Sequence, residues 1–436
     1  MEGPRRDLSA LFELILRHVP PPGKDAERPF AMTASILEYD PYLGRILTGR
    51  VEQGTARVNM PVRVLRADGS VVETGRLTKL LSFRGLERVP VEEAAAGDII
   101  AIAGLEKGTI PDTVAAPEVE APLPAIPVDP PTLAMTFRIN DGPLGGREGK
   151  KVTSRQIRDR LVREAEGNVA IRVRDSEESD AFEVAGRGEL QLGVLIETMR
   201  REGFELTIGR PRVLTRENPE TGAREEPYEE ALVDVDEAHA GVVVEMMSLR
   251  KGQMQDMRPS GGGKTRLVFL IPSRGLIGYH GEFLTDTRGT GIMNRLFHGY
   301  GPWAGPIEGR RNGSLIANAD GEAVQYALFY LQERGALFVG PGEKVYVGMI
   351  IGENSRAEDL EVNPIREKKL TNIRAAGKDD ALLLTPPRRM SLEQAIAYIE
   401  DDELVEVTPS AVRLRKRHLD PHERKRHARR AESEAA

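Results

Sequence analysis

Apolar residues recur with two different periods along this chain, and the period changes at a few points. Residues 7–18, DLSALFELILRH, carry apolar side chains at i, i+3, i+4 and i+7, which predicts a short helix that the following prolines end. Over residues 26–112 the period is two, in short runs separated by turns such as Asp68-Gly69. Closely spaced short strands are typical of a barrel, so we predict a closed β-barrel over 26–112.

Two later blocks each follow the order strand–helix–strand–strand–helix–strand. The first covers residues 132–210, with helices predicted at Val152–Glu166 and Gly188–Arg201. The second covers residues 225–305 and repeats the same order. This order predicts a βαββαβ ferredoxin-like sandwich for each block.

One stretch of the second block, from Ser273 to Trp303, contains seven glycines and no charged run. Its apolar spacing predicts a helix over Gly275–Asp286, and a short apolar strand follows at 292–297. Glycines stand where backbones turn sharply or approach closely. We interpret the stretch as a packed, RNA-facing edge of an α/β sandwich, without evident catalytic residues.

The remaining segments connect or follow these blocks. Residues 111–131 contain seven prolines, which predicts a stiff, extended linker over 113–131. Residues 306–436 predict a further α+β domain, with helices at Gly321–Arg334 and Ser391–Ile399. The predicted fold class is therefore multidomain α+β, with a barrel, two ferredoxin-like sandwiches and a C-terminal α+β domain.

Composition excludes several classes of protein. The 436 residues include no cysteine, which excludes disulfides, thiolate metal sites and cysteine nucleophiles. No apolar run reaches the ~18 residues of a membrane span, so we expect no membrane partner. The net charge of −7 argues against a general nucleic-acid binder, although positive charge gathers near the C-terminus.

The first basic cluster lies in a polar segment without an apolar face. Its members stand against a single acid, Glu367; they are Arg366, Lys368, Lys369, Arg374 and Lys378. The segment is either an ordinary exposed loop or an arm whose guanidinium and ammonium groups contact phosphates.

The second basic cluster has nine Lys/Arg between Ser410 and Ala431. It comprises Arg424–Arg430 and a preceding group, Arg413, Arg415, Lys416 and Arg417. We predict a helical or disordered tail that binds RNA.

Other candidate sites have simpler explanations. The run Gly261–Thr265 lacks the first glycine of a phosphate loop and precedes a strand, so a hairpin turn is the better interpretation. His418 and His422 have metal-ligand spacing, but their basic surroundings favour a tail. The acidic run Glu400–Glu403 is either a metal site or, as we favour, a solvated turn. We predict no catalytic, cofactor-binding or metal-binding residue.

Two further pairs of residues each allow two interpretations. Tyr300 and Trp303 follow glycines, and they either cap a domain junction or stack on a base. Arg45 and Arg50 are either structural arginines at strand edges or phosphate contacts.

Several long motifs resemble one family. GLIGYHGEFLTDTRGTGIMN, NGSLIANADGEAVQYALFYLQERG and RRMSLEQAIAYIEDDELVEVTP resemble the TypA/BipA family of translational GTPases. GRILTGRVEQGTARVNMPVRVL resembles domain 2 of such factors. AGRGELQLGVLIETMRREGFEL and EEPYEEALVDVDEAHAGVV resemble domains III and V of elongation factor G. The resemblance covers nearly the whole chain, and it implies that residues 1–25 are the last helix of a GTP-binding domain.

The resemblance implies a function for the chain. It is expected to be the ribosome- and rRNA-binding part of a bacterial GTPase for large-subunit assembly and stress-adapted translation. Expected partners are both ribosomal subunits and the tRNA acceptor end, with the barrel on the small subunit and the segment from Arg366 to Lys378 as the reaching loop. The chain is expected to be cytoplasmic and monomeric.

GTP and magnesium are expected only in the GTP-binding domain, so we expect no GTP hydrolysis by this chain alone. A rival hypothesis is a stand-alone RNA-binding or regulatory module that competes with the intact factor.

Overall fold

A computed structural model describes residues 7–19, 25–85, 87–126, 128–367 and 382–435. The chain forms two compact units, residues 1–128 with 163–169 and residues 129–162 with 170–436. The first element, α1 (Ser9–His18), is a helix in the predicted place, and all of its side chains are exposed.

Ten strands follow in the first unit. They are β1 (Ala31–Asp40), β2 (Gly44–Gln53), β3 (Thr55–Arg57), β4 (Pro61–Leu65), β5 (Val71–Arg76), β6 (Lys79–Arg84), β7 (Glu87–Pro90), β8 (Glu93–Ala95), β9 (Ile99–Ala103) and β10 (Thr113–Ala115). Eight form one antiparallel sheet in the order β5-β4-β10-β1-β2-β9-β6-β7, and β3 pairs with β8. Alternate apolar side chains of these strands, including Met32, Leu47 and Ile102, form one buried core.

Two expectations for this unit need correction. The sheet is open, because β5 and β7 are its ends and no ladder joins them among the residues that the structure describes. Period-two alternation fixes which face of a strand is buried, but it does not fix whether the outermost strands pair. In addition, Thr113–Ala115 belong to the sheet, between β4 and β1, and not to the proline-rich linker.

The next elements form the first βαββαβ block. They are β11 (Leu133–Ile139), α2 (Ser154–Gly167), β12 (Arg172–Asp175), β13 (Ala181–Gly186), α3 (Glu189–Arg201) and β14 (Leu206–Ile208), followed by the short strands β15 (Arg212–Val213) and β16 (Arg216–Glu217). The strand order is β12-β13-β11-β14, antiparallel throughout. This is the order that two split βαβ crossings produce.

The second block has the same arrangement. Its elements are β17 (Arg224–Asp236), α4 (Glu237–Leu249), β18 (Gln253–Gly261), β19 (Lys264–Pro272), a 3-10 helix (Ser273–Leu276), α5 (Tyr279–Asp286) and β20 (Ile292–Pro302). Here β17 lies between β20 and β19, and β18 is the outer strand. The helix predicted from residue 275 starts later because Gly278 has a φ of +71°, a left-handed conformation that interrupts it.

The C-terminal elements complete the chain. They are β21 (Ser314–Ala317), β22 (Gly321–Glu322), α6 (Gln325–Leu331), β23 (Gly335–Leu337), β24 (Lys344–Val345), β25 (Met349–Asn354), β26 (Leu360–Val362), α7 (Leu392–Tyr398), β27 (Glu403–Val407), β28 (Val412–Lys416) and α8 (Pro421–Ala435). Strand β27 pairs with β14, so the first block and the C-terminal region share one sheet, β12-β13-β11-β14-β27-β28-β25-β21-β26.

A loop of the first block reinforces this junction. The buried carboxylate of Glu205 accepts backbone N–H groups of Gly146 at 2.6 Å and Glu148 at 2.7 Å, which fixes the loop after β11. Leu144 of the same loop packs in the apolar core of the C-terminal region. The loop therefore presents Asp141 and Glu148 to β28.

Candidate nucleic-acid interface

The basic tail is a helix, α8, that is docked on the C-terminal region. The carboxylate of Asp420 accepts the N–H groups of His422 at 2.8 Å and Glu423 at 3.0 Å, which caps the start of the helix. Arg424 donates to the carbonyl of His418 at 2.8 Å and pairs with Glu361 of β26. The first turn of α8 is therefore held beside β26.

Three basic side chains of α8 face solvent. Lys425, Arg426 and Arg429 are exposed. Arg426 lies 3.9 Å from Glu423, with side chains that are 74% and 51% exposed, so this contact neutralises little. Lys425 and Arg429 form no ion pair with any residue that the structure describes. The helix thus presents positive charge that the protein itself does not use.

The other basic segment starts next to α8. Arg366 is exposed and follows the end of β26 by four residues. Lys368, Lys369, Arg374 and Lys378 lie outside the described residues. Because Glu361 of β26 holds Arg424, the start of α8 and the start of this segment lie at the same edge of the sheet.

The structure revises the prediction that the first group of the second basic cluster, Arg413, Arg415, Lys416 and Arg417, binds RNA. Arg415 and Lys416 have side chains that are only 3% exposed, in β28. Arg415 pairs with Asp141 and lies 3.2 Å from Glu406, a carboxylate with no exposed surface. Neither charge can reach RNA without breaking the sheet, so both are structural.

The flanking arginines are also paired. Arg413 pairs with Glu148, and Arg417 lies 3.0 Å from Glu178 with 34% of its side chain exposed. The sequence could not reveal these pairs, because each acid lies more than 200 positions away and belongs to the first ferredoxin-like block. These arginines join the two parts of the shared sheet.

Lys416 lies in a cluster of carboxylates that also includes part of the acidic run. Its Nζ is 2.6 Å from Asp359, 2.9 Å from Asp402 and 3.0 Å from Glu403. Burial alone raises the pKa of Glu403, but hydrogen bonds from Arg310 and the charge of Lys416 outweigh it and lower the pKa to about 2. Glu403 therefore stays ionised inside the protein.

The prediction of a solvated turn at Glu400–Glu403 holds for the middle of the run, where Asp401 and Asp402 form an exposed turn, but not for its two ends. Glu403 has no exposed surface, and Glu400 accepts the backbone N–H of Arg310 at 2.7 Å. The described residues contain no group of three or more His, Cys, Asp or Glu suited to a metal ion. Glu400 and Glu403 therefore belong to an ion-pair centre of the C-terminal region.

Aromatic residues at the end of β20 bind arginines of the protein. The guanidinium groups of Arg224 and Arg274 lie 4.1 Å and 3.9 Å from the centroid of the Trp303 ring. Arg216 lies 4.2 Å from the centroid of Tyr300. The geometry favours the junction-capping interpretation over base stacking.

The smaller candidates have structural partners. Gly261–Gly263 form the turn between β18 and β19 with φ values of +83°, +61° and +77°, which matches a hairpin. Arg45 donates to the carbonyl of Gly108 at 2.8 Å, which favours its structural interpretation. Arg50 donates to Glu52 at 2.9 Å, but its side chain is 53% exposed, so both of its interpretations stay predictions.

Histidines of the tail contact each other. His418 stacks on His427 at 4.0 Å between centroids and 6° between planes. Burial, followed by the charge of His427, lowers the pKa of His418. His422, the partner that sequence spacing indicated for His418, is exposed.

Sequence reasoning missed an aromatic cluster on α6. Tyr326, Phe329 and Tyr330 contact one another there. Their i, i+3, i+4 spacing within a predicted helix was the available signal.

Among the helices that the structure describes, none is long and apolar enough to span a membrane.

Known families match three parts of the chain. The family model for the TypA/BipA C-terminal domain matches residues 312–421, that for the elongation factor G C-terminus matches 223–311, and that for elongation factor Tu domain 2 matches 44–115.

Curated proteins match along almost the whole chain. A Synechocystis protein is 49% identical over 410 residues, which cover 94% of this chain and 68% of that protein. Proteins of Escherichia coli K12 and Haemophilus influenzae are each 49% identical over 421 residues, covering 96% of this chain and 69% and 68% of the relatives. All three carry the name large ribosomal subunit assembly factor BipA.

Proposed function

This chain belongs to the TypA/BipA family, and on that premise we propose that it binds ribosomal RNA as part of a factor for assembly of the large ribosomal subunit. Three curated relatives named for this role share 49% of their aligned residues with the chain. A ribosome-bound factor acts in the cytoplasm, and we expect the chain to bind there as a monomer.

One observation supports RNA binding by the C-terminal region. The Arg424–Glu361 ion pair places the basic helix α8 next to the segment that begins at Arg366. Three exposed cations of α8 and the exposed Arg366 thus lie near a single edge of the sheet. Cations that bind phosphates release the counterions condensed on the RNA, which favours binding at such an edge.

The proposed interface includes fewer residues of the second basic cluster than the sequence indicated. It comprises Arg366, Lys368, Lys369, Arg374 and Lys378 together with Lys425, Arg426 and Arg429. The paired residues Arg413, Arg415, Lys416 and Arg417 support the sheet behind it. The proposed contacts extend to the tRNA acceptor end, and the first unit contacts the small subunit.

GTP hydrolysis is assigned to another part of the factor. The 436 residues contain no G-x-x-x-x-G-K-[ST] sequence, so GTP and magnesium have no recognisable site in them. We expect no GTP turnover from this chain alone. From the family resemblance we also propose a role in stress-adapted translation.

Co-sedimentation with purified large and small subunits across a salt series tests the proposal. One variant replaces Lys425, Arg426 and Arg429 with alanine, and a second replaces the five cations of 366–378. A matched control replaces three exposed arginines of the first block, Arg155, Arg172 and Arg174. Both interface variants should bind more weakly, and the variant of Lys425, Arg426 and Arg429 should lower the slope of log K against log salt by roughly 2–3.

The control variant should bind like the unmodified chain. Equal losses in the control and in the interface variants would show that the charge effect is general and would refute the assigned edge. If the unmodified chain does not sediment with either subunit, the whole proposal fails.

A further inference from the structure

The last strand of the second ferredoxin-like block, β20, lies at an edge of its sheet. Among the residues that the structure describes, β17 is the only strand that pairs with it. Over Ile292–Phe297 the pairing is regular, with one residue of β17 opposite each residue of β20. The backbone groups that point outward from this stretch belong to no ladder, and such a row is a template for another strand. We call this outer side of Ile292–Phe297 the β20 edge.

Two large apolar side chains are exposed along the β20 edge. Ile292 is 54% exposed and Leu296 is 68% exposed. Both oppose residues of β17 that alternate with Ala231 and Val233, which are fully buried in the core beneath α4 and α5. The exposed pair therefore lies on the face of the sheet away from these helices. A strand added beside β20 would cover both side chains, as cross-strand neighbours do.

The opposite edge of the same sheet, β18, is protected against such pairing. A bulge lies between Met254 and Asp256, and Pro259 removes a backbone donor. Arg258 and Asp256 add an exposed ion pair with atoms 3.5 Å apart. Bulges, prolines and charges are the features by which proteins prevent an edge strand from pairing.

The β20 edge lacks these protective features. Ile292–Phe297 contain no proline and no bulge. Their one charged residue, Arg295, opposes the buried Ala231 and lies 3.7 Å from Glu229, so it is on the helix-covered face. No charge of the stretch therefore lies between the exposed Ile292 and Leu296. One edge of this sheet is protected, and the other is open.

Charge beside the β20 edge favours a polypeptide over RNA, although the sequence suggested an RNA-facing edge here. Glu230, directly opposite Leu296, is half-buried and forms no ion pair with any residue that the structure describes. By contrast, Asp234 lies 2.8 Å from Arg266. An unpaired carboxylate repels a phosphate, whereas it attracts a lysine or arginine of a protein partner.

We propose that the β20 edge binds an extended segment of a partner polypeptide, apolar at alternate positions and carrying a basic residue that reaches Glu230. The segment adds one strand to the sheet. Its backbone pairs with the outward groups of Ile292–Phe297, and its apolar side chains cover Ile292 and Leu296. Main-chain hydrogen bonds provide the affinity of such strand addition, and alternate side chains provide its specificity. This interaction goes beyond the proposed RNA contact and does not depend on it.

Fluorescence anisotropy with the full 436-residue chain tests the inference. The probe is a labelled nine-residue peptide of alternating valine and threonine, with lysine in place of the central valine. A second peptide has glutamate at the centre. A third has proline in place of the two threonines that flank the lysine, which removes backbone donors. Hydrogen exchange with and without the lysine peptide identifies the strand that becomes protected.

Three variants assign the binding to particular side chains. Leu296→Lys introduces a charge into the β20 edge. Met257→Lys is the matched control, because Met257 is 53% exposed on the protected strand β18. Glu230→Gln removes the carboxylate. Circular dichroism and a thermal melt verify folding, and Leu296→Ala replaces Leu296→Lys if that variant does not fold.

We expect Leu296→Lys to weaken binding of the lysine peptide by about tenfold, because the apolar contact is lost. Met257→Lys should bind as the unmodified chain does, and the proline peptide should not bind. The lysine peptide should bind about threefold more tightly than the glutamate peptide, and Glu230→Gln should abolish this preference. Amides of residues 292–297 should become protected, whereas those of residues 253–259 should not.

The inference is overturned if the lysine peptide does not bind, or if it binds equally to the unmodified chain and to a folded Leu296 variant. Displacement of the bound peptide by oligoadenylate would show that the edge takes RNA. A dimer in sedimentation equilibrium that Leu296→Lys dissociates would show that a second copy covers it. Either result also overturns the inference. Co-sedimentation of the α8 variants with ribosomal subunits tests the proposed function separately, so the two proposals can fail independently.

Discussion

Arg274 holds Glu226, a carboxylate with no exposed surface, through two hydrogen bonds. The Nε donates to Oε2 at 2.5 Å and Nη2 to Oε1 at 3.0 Å. Oε1 also accepts the backbone N–H of Ala304 at 2.8 Å, just after β20. The same guanidinium lies 3.9 Å from the ring centroid of Trp303. One ion pair thus fixes the chain that leaves the second ferredoxin-like block.

Replacement of Glu226 with alanine should destabilise the protein by about 3–5 kcal/mol, because Arg274 would remain buried without a carboxylate. Trp303 is the only tryptophan, so its fluorescence reports on this junction. Denaturant unfolding followed by that fluorescence measures both effects. Glu282→Ala is the control, since Glu282 is 53% exposed beside Arg250 and should cost less than about 1 kcal/mol. Equal stability of the two variants would contradict the prediction.

Arg415→Met should separate structural charge from RNA-binding charge. The substitution removes a partner of the buried Glu406, so we expect a loss of about 3 kcal/mol in the free energy of unfolding. The salt slope of ribosome binding should not change at a temperature where the variant is folded. Lys425→Ala should show the reverse, with stability within about 0.5 kcal/mol of the unmodified chain and a smaller salt slope. Denaturant unfolding measures the stability of both variants, and co-sedimentation with ribosomal subunits measures their salt slopes.

Stability should decrease in acid partly through Glu403. Its pKa is about 2 in the folded chain against an ordinary value of 4.5, so the unfolded state takes up the proton first. The contribution, on the order of 3 kcal/mol, is complete above pH 4.5 and is lost as the pH falls from 4.5 towards 2. Urea unfolding of the chain and of Glu403→Gln at pH 3 and 7 tests this. The stability difference between them should shrink at pH 3; a constant difference would refute the assignment.

Docking of α8 should weaken as the pH falls below about 6.5. The pKa of His418 is lowered by burial and then by the charge of His427, so the folded chain resists a proton that the unfolded chain accepts. Stability therefore rises with pH through this window. In His427→Gln the pKa of His418, measured by NMR titration, should move up towards its ordinary value. An unchanged titration would show that the stacked pair does not interact electrostatically.

Local signals in the sequence predicted local structure well. Ser391 starts α7 with a capping box, in which its Oγ accepts the N–H of Gln394 at 3.3 Å and its own N–H donates to Oε1 of Gln394 at 2.9 Å. The strand order of the two βαββαβ blocks likewise follows from element order. The ladder between β14 and β27 does not, because it joins residues about 200 positions apart whose apolar patterns would suit many partners.

The same limit explains the revised site. Arg413, Arg415 and Lys416 form a basic run in sequence, but the acids that neutralise Arg413 and Arg415 come from a distant loop. Charge counts along a chain therefore overestimate the charge available to RNA. Lys425 and Arg429 remain available because both are exposed and neither forms an ion pair with a residue that the structure describes.

Residues 306–436 should not fold when they are expressed alone. Without β14, the ladder formed by Val405, Glu406 and Val407 loses its partner strand. Without the loop after β11, Arg413 loses Glu148, Arg415 loses Asp141, and the core loses Leu144. These losses exceed what a domain of this size can absorb, since its total stability is on the order of 5–15 kcal/mol.

A fragment of residues 129–436 is the matched control, because it restores β14 and the loop. It should show a cooperative melt and dispersed NMR amide signals, whereas 306–436 should show neither. Cooperative unfolding of 306–436 alone would mean that the shared sheet contributes little, and that the C-terminal region folds independently of the ferredoxin-like block beside it.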